Sequence, residues 1–379
     1  MRNRGYVWVF LAIGAWAIWG EHVQAQFMNN VAIHGFGGWA YGKTDNENQY
    51  LVGNEDGSYD HVSFSLNITA RPYEQLSIYV QPSYSEGGTE FEEKDVNLDY
   101  AFAEWYFSDR FILRIGKVKA PFMLYTEIYD VGTVRPFFFL PQGVYQQLSA
   151  EAYKGVGLTG SLFSKEGWEL QYDLYSGKLN VQSNPFVNPQ TFKFVEVTPV
   201  INDLIGGRLS LQTPVTGLNA AVSSFAGNFE MDNPVLSLDE HYVIVGPSLE
   251  YVSEHWKICS EYLTQIDSSK ISLDSIYLEA SYQVTEHWQI ATRYEHTDVE
   301  IDVPSDLDYV PSSTFDHQET VFGLNYWLNP NLVFKLSYHI VEGNRFAFPE
   351  DGAKYLQHTL DGKFEETTHL VLVGTQFSF

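Results

Sequence analysis

Stretches of about ten residues in which apolar and polar side chains alternate recur along most of the chain. In the stretch 62–69, valine, phenylalanine, leucine and isoleucine alternate with serine, asparagine and threonine, and the stretch 332–340 alternates in the same way. Because successive side chains of a β-strand point to opposite faces, each stretch predicts a strand with one apolar and one polar face. The sixteen predicted strands are Val31–Tyr41, Asp60–Ala70, Gln75–Tyr84, Val96–Phe107, Phe111–Val118, Tyr153–Ser164, Trp168–Tyr175, Val200–Gln212, Leu218–Ala226, His241–Val252, Trp256–Thr264, Ser272–Val284, Trp288–His296, Thr320–Leu328, Leu332–Val341 and Thr368–Phe379.

The connections between these strands alternate between short and long. Short turns such as Ser108 to Arg110 and Asn329 to Asn331 follow every second strand, whereas most of the others are long and acidic. This asymmetry is typical of bacterial outer-membrane barrels, in which short turns face the periplasm and long loops face outside. The longest connection, Lys119 to Ala152, is the third of the predicted outer loops.

A soluble β-sandwich would show the same alternation, so the positions of the aromatic residues decide between the two classes. Trp168, Trp256 and Trp288 each directly follow a predicted short turn, and Trp105 and Phe107 directly precede one. Rings at one predicted height are typical of the girdle at a membrane interface. We therefore predict an all-β fold, a transmembrane antiparallel β-barrel of about sixteen strands, with a soluble β protein as the alternative.

The first residues predict export of the chain. Basic Arg2 and Arg4 precede an apolar run, and the small-residue pattern Val23-Gln24-Ala25 follows it. This pattern predicts a signal peptide at 1–25 and a barrel domain at 26–379, in the outer membrane of a Gram-negative bacterium. An uncleaved membrane helix is the alternative, but the run is shorter than the roughly 20 residues that a span needs.

Composition excludes some partners and reactions. The formal net charge of −26 argues against nucleic acid as a partner, because phosphate binding needs a basic surface. The chain has no Gly-x-Ser-x-Gly motif, and its eleven histidines show no metal-ligand spacing. We therefore expect no enzyme activity, no cofactor and no metal. Since Cys259 is the single cysteine, no intramolecular disulfide is expected either.

Strand number bears on function, because a barrel of sixteen strands leaves an aqueous channel unless something fills it. The third outer loop contains the apolar run Pro136, Phe137, Phe138 and Phe139, followed by Tyr145. Such a run is costly to leave in water, so we expect this loop to fold into the lumen and to form a constriction. Packing of the same rings on a neighbouring subunit is the alternative.

Charged residues fall on the predicted polar row of many strands. A charge facing lipid near the bilayer midplane would cost about 2–4 kcal/mol, so these residues are expected to line the pore. The predicted pore-lining residues are Arg114, Arg208, Lys257, Arg293, Lys335, Glu104, Glu250, Glu261, Glu279 and Glu295, together with Arg135 from the third loop. Each of them could instead be an ordinary solvated or cross-strand-paired residue.

Three short stretches resemble a known family. Arg114 to Phe122, continuing to Arg135-Pro136-Phe137 and to Leu140 through Gly143, is similar to the fifth strand and third loop of the porin O/P superfamily. The resemblance implies a homotrimeric channel with the third loop inside. Phosphate-selective members carry an arginine ladder and a lysine cluster in the pore, and this chain has no such lysine cluster. In addition, Phe377 and Phe379 resemble the aromatic ending that the barrel-assembly machinery recognises.

We therefore predict a weakly selective porin for passive diffusion of small hydrophilic solutes and ions. Its partners would be outer-membrane lipid, two further copies of the chain and the assembly machinery. An anion- or phosphate-selective porin of the O/P type is one alternative. A non-conducting structural or adhesive barrel is the other, because long acidic loops could bind partners while the channel stays closed.

Overall fold

The fold is a closed antiparallel β-barrel of sixteen strands, as the alternation predicts. A computed structural model describes residues 30–86, 96–146, 151–181, 184–188, 193–197, 199–232, 237–267, 271–301 and 311–379. The predicted signal peptide therefore lies outside the described residues. The strands are β1 (Val31–Thr44), β2 (Ser58–Tyr73), β3 (Leu76–Glu86), β4 (Val96–Ser108), β5 (Phe111–Lys119), β6 (Ala152–Lys165), β7 (Trp168–Asn180), β8 (Val200–Gln212), β9 (Leu218–Asp232), β10 (Ser237–Val252), β11 (Trp256–Asp267), β12 (Ile271–Gln283), β13 (Trp288–Ile301), β14 (His317–Asn329), β15 (Leu332–Glu342) and β16 (Thr367–Ser378).

Each strand pairs with its neighbours in sequence, and β16 pairs with β1 to close the sheet. Phe36 lies opposite Ser378 and Tyr41 opposite Val373 in this last ladder. Beyond it, the backbones of Gly35 and Phe379 exchange two hydrogen bonds of 2.9 and 2.8 Å. Closure leaves no barrel strand with an unpaired edge, which is the condition for backbone in a bilayer.

Burial alternates along the strands and defines two rows of side chains. In β13, positions 291, 293, 295, 297 and 299 are buried, whereas the positions between them are exposed. The buried positions hold Arg293, Glu295 and Thr297, and the exposed ones include Tyr294, with exposed Ile290 continuing the same face. We call the first set the polar row and the second the apolar row.

The predicted aromatic girdle lies on the apolar row. Trp168, Trp256 and Trp288 are 42%, 46% and 44% exposed, which is high for tryptophan in a folded chain. Cross-strand neighbours pack beside them, with ring centroids of Trp256 and Tyr282 4.7 Å apart. The rings follow tight turns such as Glu166-Gly167, where both residues have the positive φ (56° and 83°) that suits a two-residue hairpin.

The long connections carry structure that alternation did not predict. A helix, α1 (Gly352–Asp361), lies in the predicted loop after β15, with the Asp351 side chain accepting a hydrogen bond from the Ala353 amide. Short strands pair at Asn184–Asn188 with Lys193–Val197 and at Asn48–Gln49 with Phe348–Pro349, and Gly53–Asn54 adds to the barrel sheet beside β1. In the described part of the chain, no helix has both the length and the apolar character to cross a membrane.

Candidate functional site

Residues 120–146, which we call the 120–146 segment, belong to the connection between β5 and β6 and contact the polar row of most strands. The segment is mainly irregular, with short helical turns at Thr126–Ile128, Gly132–Val134 and Gln142–Gln146. Its partners include polar-row residues of β1, β2, β3, β5 and β8 to β16. The segment has little regular secondary structure to pair its own backbone N–H and C=O groups. Side chains of the barrel wall therefore supply many of its hydrogen bonds.

Lys335 is the most heavily engaged of these partners. Its Nζ donates to the carbonyl oxygens of Gly132 (2.8 Å), Arg135 (2.7 Å) and Phe137 (3.2 Å). It also donates to Oε1 of Gln376 at 2.5 Å, and the side chain is 2% exposed. An ammonium group has three protons to donate, so the four acceptors share them and no donor is left over for another partner.

Arg293 performs a similar task on β13. Its guanidinium donates to the Phe139 carbonyl at 2.9 Å and to Glu319 at 3.0 Å. The carboxylates of Glu279 and Glu295 lie 3.7 and 3.9 Å from it, and Phe137 stacks under it with its ring centroid at 5.0 Å. A buried guanidinium needs such surroundings, since unpaired charge is costly in the interior.

Glu261 on β11 accepts hydrogen bonds from two parts of the segment. The Leu124 amide donates to it at 2.7 Å, and the Tyr145 hydroxyl donates to its other oxygen. Burial, followed by the charge of Glu261, raises the pKa of the Tyr145 phenol well above its ordinary value. Both groups are buried, so Glu261 anchors the segment through a phenol that remains protonated at neutral pH.

The phenylalanines of the segment fill space that glycines leave on the wall. A Cβ at Gly374 would lie 2.6 Å from the Phe138 ring, and one at Gly323 would lie 2.7 Å from the Phe137 ring. Phe137 and Phe138 are 1% and 3% exposed, and Pro136 is buried beside them. Most of the apolar run is therefore hidden from water, and the contacts that hide it lie within this one chain.

A second group of charges lies on the wall near the start of the segment. Arg114 pairs with Glu104 at 2.8 Å and with Glu127 at 3.6 Å. Arg208 pairs with the same Glu127 at 2.5 Å and with Asp173 at 3.1 Å. Glu127, a segment residue, therefore joins two arginines from β5 and β8. We call these five residues the charge ladder, and they are 10% to 31% exposed.

The residues predicted to line the pore fall into two groups in the structure. The first group is at most 4% exposed and lies behind the segment. It comprises Arg293, Lys335, Glu261, Glu279 and Glu295. The other group is partly exposed and comprises Arg114, Arg208, Glu104, Lys257 and Glu250, the last two 3.8 Å apart. Arg135 donates to the Tyr129 carbonyl at 2.9 Å, and burial lowers the pKa of its guanidinium.

Several functional candidates were not predicted from the sequence. Glu127 and Asp130 lie in the segment, where no alternation marks their direction, and Lys119 pairs with Asp130 at 3.0 Å. His317 and Glu319 fell within a predicted loop because β14 begins at His317, three residues before its predicted start. Glu295, His317 and Glu319 have ligand atoms within 4.8 Å of one another and could hold a metal, which spacing along the chain did not reveal.

Comparisons with known proteins relate the chain to porins through its fold. No protein-family model matches the sequence, and no curated protein matches it. Among solved structures, OmpF of Salmonella typhi in complex with daunomycin aligns over 92% of this chain and 98% of its own, with TM-score 0.57 and 12% identity. The anion-selective porin from Comamonas acidovorans aligns over 92% and 99%, with TM-score 0.55 and 13% identity. The trimer form of in-vitro folded OmpT, an outer membrane protein of Vibrio cholerae, gives TM-score 0.56, 12% identity and coverages of 92% and 99%. The chain therefore has a porin-like sixteen-stranded barrel fold.

Proposed function

We propose that this chain is an outer-membrane porin through which small hydrophilic solutes and ions diffuse, with the 120–146 segment folded into the lumen as its constriction. The observation that carries the proposal is the set of partners of this segment. A single stretch that touches the polar row of strands on all sides of a closed barrel can reach them only from the inside. The polar row then faces water and the apolar row faces lipid, as a bilayer requires.

The remaining passage runs along the part of the wall that the segment leaves partly uncovered. Its charged residues are those of the charge ladder, together with the pair Lys257 and Glu250 on β11 and β10. Each arginine of the ladder contacts two acids, so the ladder gives no surplus of positive charge for an anion. This pairing favours a weakly selective channel over a phosphate-selective one.

Location and assembly are proposed on the same grounds. The exposed aromatic girdle fits a membrane interface, and the structural neighbours include outer membrane proteins and one trimer form. We infer an outer-membrane location in a Gram-negative bacterium and a homotrimer. Phe377, on the last strand, and Phe379, directly after it, serve barrel assembly in this proposal.

Conductance of the purified protein in planar bilayers tests the channel. Wild type is expected to give stable open-channel steps, and replacing 134–145 by a short Gly-Ser linker is expected to raise their size several-fold. The barrel should still fold, because its strands are closed by their own ladder. Heat-modifiable migration on gels and circular dichroism serve as the folding control.

Three results would contradict parts of the proposal. Equal conductance of a folded linker variant would place the segment outside the conducting path. A silent wild type with a conducting variant would make the segment a plug and favour the structural or adhesive barrel. Silence of both folded proteins would reject the porin function altogether.

A further inference from the structure

A buried cluster of carboxylates and imidazoles lies where β13, β14 and β15 adjoin the 120–146 segment. Glu295, His317 and Glu319 each offer one ligand atom, and the three atoms lie within 4.8 Å of one another. None of these side chains is more than 1% exposed. The cluster is separate from the partly exposed charge ladder, so diffusion through the proposed channel makes no use of it.

The cluster carries more negative charge than its permanent cation balances. Three carboxylates, those of Glu279, Glu295 and Glu319, surround the single guanidinium of Arg293 at 3.7, 3.9 and 3.0 Å. With neutral imidazoles, three negative charges against one positive leave an excess of two, and the buried ammonium of Lys335, whose charge acts on Glu279, offsets one of them. Uncompensated buried charge costs several kcal/mol per ion, so something must neutralise the rest. Either protons or a bound cation would do so.

Atoms without partners point to a ligand. Oε2 of Glu295 is buried with no hydrogen-bond partner, although most buried polar atoms have one. The Tyr50 hydroxyl, from the connection between β1 and β2, is also buried without a hydrogen bond of ordinary geometry and lies beside Glu319. Carboxylate oxygens and imidazole nitrogens are common metal ligands, and a tyrosine oxygen can also bind a metal.

We propose that Glu295, His317 and Glu319 bind a divalent transition-metal ion of the zinc class, with the Tyr50 hydroxyl beside a fourth position. Nε2 of His317 lies 2.6 Å from Oε1 of Glu295. Two ligands about 2.1 Å from a tetrahedral zinc ion are about 3.4 Å apart, so the pair needs to open by less than about 1 Å. Nδ1 of His339 contacts Oε1 of Glu319 at 2.7 Å and would orient that ligand.

Such an ion would join parts of the chain that are distant in sequence. Tyr50 belongs to the first outer connection, His317 is the first residue of β14, and Oε1 of Glu295 accepts a hydrogen bond from the Gln142 amide at 3.1 Å. The bound metal would therefore fasten the 120–146 segment to the wall at its far end. Metal supply would then control how firmly this segment is held.

Refolding in detergent with Co²⁺ or Zn²⁺, after treatment with a chelator, tests the site. One metal ion per chain is expected, with visible cobalt absorption bands and a melting temperature that rises with metal concentration. His317→Gln can still donate a hydrogen bond to Glu295 but offers no imidazole, so its metal affinity should fall at least about 100-fold. His296→Gln is the matched control, because His296 is adjacent to Glu295 on the same strand but exposed on the apolar row.

The proposal fails if wild type refolds without bound cobalt and without a metal-dependent melting temperature, or if His317→Gln binds metal as tightly as wild type. A stability that depends on pH but not on metal would assign the neutralising charge to bound protons, and this too would overturn the site. Should His317→Gln not fold, Glu295→Gln provides the same comparison. None of these measurements requires conduction, so they stand apart from the test of the channel.

Discussion

At the residue scale, some charged side chains of the polar row, such as Lys335 and Arg293, bind the 120–146 segment instead of facing the proposed passage. Lys335 and Arg293 lie on that row, but sequence alternation could not reveal that both are buried. Their burial depends on a segment whose course is set by many distant contacts rather than by a period along the chain. A charged residue on the polar row can therefore be buried against the segment, so its position on that row does not show that it faces the proposed passage.

Lys335→Met is expected to destabilise the docked segment, because it leaves the carbonyls of Gly132, Arg135 and Phe137 without their shared donor. Losing hydrogen bonds to a buried charged group should cost about 1–3 kcal/mol, seen as a lower melting temperature in detergent and noisier single-channel currents. Lys257→Met is the matched control. Lys257 donates to one segment carbonyl, that of Val134 at 3.0 Å, and is 22% exposed. Equal effects of the two substitutions would show that burial of Lys335 contributes nothing.

At the scale of elements, the strands were predictable and the connections were not. All sixteen predicted strands are confirmed, because alternation and short turns are local signals that a membrane barrel repeats many times. Strand ends were less accurate, and β14 begins before its predicted start, at His317. Helix α1 is only ten residues long and lies inside a predicted outer loop, so the alternation that marks strands does not reveal it.

The cross-strand clusters were equally hidden from the sequence. Register decides which polar-row residues become neighbours, and Arg293 lies directly opposite Glu279 on β12 only because of the observed pairing. A shift by two residues would preserve every face and change every partner. The faces of the wall were therefore predictable, whereas its ion pairs were not.

The last strand gives a prediction about assembly. Phe379 is 60% exposed, and its ring lies over Gly35, where a Cβ would be 2.2 Å from it. Phe379→Ser is expected to reduce the amount of barrel assembled in cells while leaving refolding in detergent nearly unchanged. Phe107→Ser is the matched control, since Phe107 is 57% exposed on the apolar row at another strand. Loss of refolding together with assembly would show that Phe379 acts through ordinary stability.

At the scale of the whole molecule, net charge and local pairing act on permeating ions in different places. The formal net charge of −26 concentrates cations near the protein, but exposed charges are screened within about 8–10 Å at physiological salt. In a narrow passage with walls of low dielectric constant, a few charges count for more than many at the rim. The charge ladder occupies such a position in the proposed channel, so it should dominate selectivity.

Substitutions in the ladder are therefore expected to move selectivity in opposite directions. Wild type should prefer cations weakly at low salt, with the preference declining as salt rises. Glu127→Gln removes the acid that two arginines share, so the zero-current potential across a potassium chloride gradient should shift towards anions. Arg114→Gln leaves Glu104 and Glu127 in excess and should shift it towards cations. The rim pair Lys165 and Glu166, with side chains 78% and 77% exposed, supplies the control Glu166→Gln, which should leave the potential unchanged. Shifts of the same sign in both ladder variants, a rim effect of equal size, or a strong phosphate preference in wild type would each contradict this account of the channel.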